Sequence, residues 1–191
     1  EAEARRTIAK AGGAWLPHII PLLPKISHVQ KERALDALDE IAKRINVAQA
    51  VSVAPDRALF WQEYWDTYGS DFKSVRAARL VRRLAKRPDQ LAEDELKRLD
   101  TFCLPQLMEA LDENISIESK ARIIELLQEI VDTYDPLDPK SAKSEQRAVL
   151  VRWSEWWNDR RDRYTVFEGM HSVVGTVTET RYFQWLLRIL T

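Results

Sequence analysis

Glu63 and Glu155 occupy corresponding places in two tryptophan-rich stretches, and paired carboxylates are common equipment for general acid and base work. Each glutamate belongs to a different copy of a repeated segment, so repetition accounts for the pair without catalysis. Ion pairs are the expected role: Glu63 with Arg57, and Glu155 with Arg152 and the arginines near it. Asp132, Asp135 and Asp138 recur at three-residue steps around Pro136. They lack the glycine and the terminal glutamate of a calcium loop and read as acidic turn residues beside proline. His18, His28 and His171 have no cysteine partner and no paired spacing, so no transition-metal site is expected. With no glycine-rich phosphate loop, no serine elbow and no cysteine beside a credible base, we expect no catalytic residue, no cofactor and no enzyme.

Binding chemistry is better represented. Arg76, Arg79 and Arg83, with Lys86 or Arg87, line one side of an expected helix and are candidates for phosphate or lipid contact. Acids nearby make a solvated or salt-bridged face the favoured reading. Arg160, Arg161 and Arg163 form a second basic cluster. The chain has seven tryptophans, above ordinary usage, and five fall in the duplicated stretches. Trp61 and Trp65 are four apart and share a helix face, as do Trp153 and Trp157. These rings read first as core fillers fastening a third helix onto two others. Read as an aromatic groove, they make Trp61, Trp65, Trp153 and Trp157 candidates for partner binding, together with Tyr182 and Trp185 near the C-terminus.

The elements that must position these residues come from an internal repeat. Leu16-Pro17-His18-Ile19-Ile20-Pro21-Leu22-Leu23 followed by Arg33 to Ala42 is echoed by Leu104-Pro105-Gln106-Leu107-Met108-Glu109-Ala110-Leu111 followed by Ala121 to Val131. Further on, Trp61, Glu63, Tyr64, Trp65 and Phe72 correspond in order and spacing to Trp153, Glu155, Trp156, Trp157 and Tyr164. Strand-like alternation is nearly absent and the five glycines and eight prolines fall at element edges, which predicts an all-α fold. Helices are expected over 2–11, 14–24, 28–45, from Pro55 to about Tyr68, 72–86, Asp94 to Leu99, 102–111, 116–133, 145–163, 166–176 and 179–190, with a loop near 51–55. Ser27 should cap the helix 28–45, and Val75, Leu80, Val81 and Leu84 should face inward from 72–86. Tandem antiparallel pairs of this kind resemble HEAT-like units. We expect one helical domain over 1–191, with a first half at about 1–97 and a second at about 98–191.

At 191 residues the chain can bury a core without a metal or a disulfide. Its 29 Lys and Arg against 30 Asp and Glu offer no broad attraction to a polyanion. The single Cys103, between Phe102 and Leu104, suits a small buried apolar site and does not identify a compartment. No apolar run reaches the roughly eighteen residues that span a bilayer, so the chain is expected to be soluble. Its opening Glu1-Ala2-Glu3-Ala4, without initiator Met or signal-peptide pattern, suggests a segment of something longer.

The C-terminal stretch Thr178 to Leu190 has no convincing counterpart in the first half. Through Tyr182, Trp185, Leu186 and Leu190 it resembles the pre-membrane stretch of the inner-membrane permease subunits of peptide-type ABC transporters. Trp153, Trp156, Trp157, Arg161, Tyr164 and Gly169 look like the variant of that family with a long helical insertion after its first membrane helix. The likeness is specific over about 147–190 and architectural elsewhere. The Gly-Asp-Leu-Gly that normally follows in the family does not occur in the chain, nor does the motif that grips the ATPase. The resemblance implies a non-catalytic domain on the extracytoplasmic (periplasmic) side of the inner membrane, tethered by flanking helices. Its implied work is docking a solute-binding protein or another permease subunit during import, with no nucleic acid involved. Tyr182 and Trp185 suit a water–membrane boundary, where Arg181 and Arg188 could reach head groups. The alternative expectation is a free-standing cytoplasmic HEAT-like scaffold that binds a peptide, protein or nucleic acid through the arginines of 72–86.

Overall fold

The computed structural model describes residues 11–164, and among these every regular element is a helix. They fall into two compact units, 11–70 and 71–164. This cut differs from the 97/98 boundary between the two sequence copies, because the units follow contacts within the fold and the copies follow residue correspondence. The expected helices 2–11, 166–176 and 179–190 lie outside the described residues, as do His171, Tyr182 and Trp185.

Near the start of the described residues Gly12 has φ 60°, a left-handed position where glycine avoids the cost a Cβ would bring. A 3-10 turn Gly12–Trp15 leads into α1 (Leu16–Ile19) and a second 3-10 stretch, Ile20–Lys25. Pro21 and Pro24 explain the break, since a proline ring supplies no amide and clashes with the preceding turn. Helix α2 (His28–Arg44) opens on a capping box: the Ser27 hydroxyl accepts from the Gln30 amide, and the Gln30 side chain accepts from the Ser27 amide. Its Ala34, Leu35, Leu38, Ile41 and Ala42 are buried, as their spacing predicts. The expected loop near 51–55 is instead partly helix, α3 (Ala48–Val53), too short to show a hydrophobic period. Helix α4 (Arg57–Tyr68) starts two residues after Pro55, because Asp56 takes the cap and accepts from the Ala58 and Leu59 amides.

In the second unit, α5 (Ser74–Lys86) packs on α6 (Gln90–Leu99), α7 (Leu104–Asp112) and α8 (Ile117–Val131), and α7 also meets α9 (Lys143–Arg160). Ala77, Leu80, Val81 and Leu84 form the inner face of α5. Val75 does not join them: it lies at the opposite azimuth and is 74% exposed. Asp89 caps α6 by accepting from the Ala92 amide, which starts that helix four residues earlier than expected. Arg122 reaches from α8 to the carbonyls of Leu84 and Ala85 and so satisfies the C-terminal end of α5. Lys97 on α6 pairs with Glu93 and, on α8, with Glu129. Cys103 is fully buried just ahead of α7, its thiol donating to the Asp100 carbonyl at 3.1 Å. Desolvation there pushes the thiol pKa far up. No helix among the described residues is long and apolar enough to cross a membrane.

Candidate functional site

Each tryptophan helix buries one indole and leaves its neighbour nearer the surface. Trp61 on α4 is 0% exposed and Trp153 on α9 is 1% exposed, so neither ring can meet a partner while its unit stays folded. That corrects the reading of these two residues as contact points. They are core. Trp61 is boxed edge-on by Phe60 and Tyr64, with centroids at 5.5 and 5.4 Å. Trp153 meets Trp156 edge-on at 5.6 Å, and its indole N–H donates to the Asp135 carbonyl at 2.9 Å. The N–H of Trp61 is buried with no acceptor among the described residues.

Trp65 and Trp157 are half-buried. Gly69 follows Trp65 by one turn, and a Cβ there would stand 2.7 Å from the ring, so the indole lies close over its own helix end. Position 161 corresponds to Gly69 in the second copy and carries an arginine. Trp157 instead stacks on Tyr164, at 6.2 Å and an interplanar angle of 10°, while Arg160 lies over Trp156 at 5.5 Å.

The concave feature that best suits recognition lies between α7 and α9. It is a half-open cleft of about 310 Å³ whose walls include Met108, Leu111, Leu150 and Trp157. Helical spacing explains this wall, since Leu150 and Trp157 are two turns apart on one side of α9. Glu109 and Asp112 stand on the α7 rim, exposed and without an ion pair among the described residues, and Arg161 stands at the α9 end. Sequence reasoning missed Leu150, Met108 and the two rim carboxylates. Nothing in their own spacing links residues some forty positions apart, and only the packing of α7 on α9 brings them together.

The expected ion pairs are redistributed. Arg57 turns away from Glu63 and reaches α2, contacting Glu32 at 2.7 Å, Asp36 at 3.3 Å and Asp39 at 2.7 Å. Hydrogen bonding to Asp39, assisted by Asp36 and the other charges, raises its pKa. Arg152 grips Asp135 with two bonds of 2.9 and 2.7 Å, and Glu155 adds only a more distant charge. The aspartates around Pro136 have separate duties. Asp132 holds the left-handed end of α8, Asp135 takes Arg152, and Asp138 accepts the Lys140 amide. No group of three His, Cys, Asp or Glu side chains among the described residues is placed to hold a metal ion.

On α5 the arginines divide into two sets. Arg76 bridges Asp71 and Glu95 at 3.2 and 2.8 Å, and Arg83 is bidentate to Asp89 at 3.0 and 3.1 Å. Asp71 is also held by Arg98 at 3.1 Å. Arg76 and Arg83 are therefore internal braces, and of the three arginines expected to contact phosphate or lipid only Arg79 has no acid partner among the described residues. Compared with protein-family models, with curated proteins and with solved structures, the chain finds no match in any of the three.

Proposed function

We propose that the chain is a non-catalytic docking module whose second unit receives a segment of another protein in the α7–α9 cleft. The observation that supports this is the combination, in one mixed polar and apolar cleft, of Leu150, a half-exposed indole and two carboxylates without an ion pair among the described residues. Such a cleft suits an apolar anchor followed by a lysine or arginine, the anchor against Leu150 and Trp157 and the cation toward Glu109 and Asp112. The cleft helix α9 also carries part of the stretch that resembles peptide-type ABC permeases. On that basis the module is the extracytoplasmic domain of such a permease. Its partner is then the solute-binding protein or a second permease subunit, and substrate passes through membrane helices elsewhere.

Two measurements test the reading. The complete reading frame should encode a membrane-spanning helix on each side of this segment, and its absence from either side removes the permease assignment. A photo-crosslinking residue at Asn158, beside the cleft, should form an adduct with the solute-binding protein or sister subunit in membranes holding the assembled transporter. Equal cross-linking from a site on α2 would remove the cleft from the account. Purified chain should hydrolyse no ATP, and turnover by clean material would refute the non-catalytic assignment.

A further inference from the structure

Helix α5 has a second face that the ion pairs leave untouched. Around its axis the buried residues Ala77, Leu80, Val81 and Leu84 define the inner side, and Val75, Arg79, Arg82 and Lys86 lie opposite them at steps of four, three and four residues. All four are exposed, and the three cations make no ion pair among the described residues. The helix has no acidic residue over Ser74–Lys86, and the acids Asp71, Glu95 and Asp89 are taken up by Arg76 and Arg83, which lie two turns apart on one flank. The braces thus neutralise that edge and leave beside it a positive ridge about 10 Å long.

We propose that this ridge docks on the phosphate head groups of an anionic lipid surface. Charge complementarity calls for an anionic partner, and three further features select a membrane over a polymer. The ridge is convex, so a plane can touch all three cations at once, whereas an acidic peptide gains little from a surface that does not enclose it. Val75 stands in line with the cations at 74% exposure, an apolar side chain placed to enter the head-group layer while arginine and lysine stems lie along it. No aromatic side chain lies on the ridge to stack on bases, and the chain as a whole carries a net charge of −1. The proposal does not depend on the α7–α9 cleft or on the permease reading.

The test is co-sedimentation of the full 191-residue chain with vesicles of phosphatidylcholine alone or with phosphatidylglycerol added at about one lipid in three. Binding should require the anionic lipid and weaken with salt. Each cation near such a surface is worth roughly five-fold in partitioning, so Arg79→Gln, Arg82→Gln and Lys86→Gln together should lower it roughly a hundred-fold. Val75→Ser should lower it less. A control removing three other exposed charges, Lys25→Gln, Lys140→Gln and Lys143→Gln, keeps the same net charge and should retain most of the binding. Circular dichroism checks that both triple variants stay helical. The proposal is overturned if wild-type chain ignores anionic vesicles, if the two triple variants lose binding equally, or if binding survives the α5 triple. Tighter retention of a single-stranded oligonucleotide through the same three residues would assign the ridge to nucleic acid instead.

Discussion

Helices α4 and α9 occupy equivalent places in the two sequence copies, and each seals its unit with one fully buried indole. Their polar surroundings differ. In α4 a single guanidinium, Arg57, reaches three carboxylates spaced along α2, and Trp61 keeps its N–H unpaired among aromatic rings. In α9 the anchor is a loop: Asp135 receives Arg152 on its carboxylate and Trp153 on its carbonyl. The difference shows which part of two similar helices is shared. The large apolar ring is held by volume, while its hydrogen bond and its ion pair depend on whichever neighbour the local chain supplies.

Removing either ring tests the shared half of that comparison. Trp61→Ala and Trp153→Ala should each cost about 3–5 kcal/mol in urea unfolding, the usual range for deleting a buried aromatic. A loss below about 1 kcal/mol at either site would show that its ring is not core. Phenylalanine separates the two sites: Trp153→Phe strands the Asp135 carbonyl, whereas Trp61→Phe removes a donor that had no acceptor. The first should be the costlier by about 1 kcal/mol, and equal costs would erase the polar contrast.

The arginines give a smaller effect. Arg57→Met leaves three acids of α2 facing one another, but the side chain is one-third exposed and solvent screens the loss, so less than about 1 kcal/mol is expected. Arg152→Met strips one carboxylate and should be milder. The reverse order in thermal melts would mean that the loop anchor matters more than the helix clamp.

Acid should be felt through the second unit at Asp89. The Ala92 amide, and after it the Arg83 guanidinium, hold that carboxyl below the usual carboxylate range. Its contribution is therefore complete above the ordinary pKa near 4 and is lost as pH falls through the lower folded value. Asp89→Asn keeps an acceptor for the cap but no titrating group, so its stability should vary less with pH in that window. An unchanged acid profile would remove Asp89 from the account.

Much of the helical layout was readable because its signals are local. The apolar stripe from Ala34 to Ile45 and the Ser27 cap need only neighbouring residues, and both stand where the spacing puts them. Failures came where the deciding partner is distant or the element is short. Ala48–Val53 is too brief for a period, and Val75 is apolar in type but stands on the opposite side of its helix from Leu80, Val81 and Leu84, so residue type misled where spacing did not. Proximity along its own helix pairs Arg57 with Glu63, but three acids eighteen or more residues earlier hold it. The α7–α9 cleft was illegible for the same reason, whereas the ridge on α5 was half visible: its cations show in the sequence, and the acids that separate bracing arginines from free ones do not.

Cys103 gives the molecule an internal stopwatch. As the chain's one thiol, sealed beneath α7 and held protonated by its surroundings, it is beyond the reach of an alkylating reagent in the closed protein. Each modification event must wait for the second unit to breathe, so the pace of alkylation in native buffer reads out how often that unit opens.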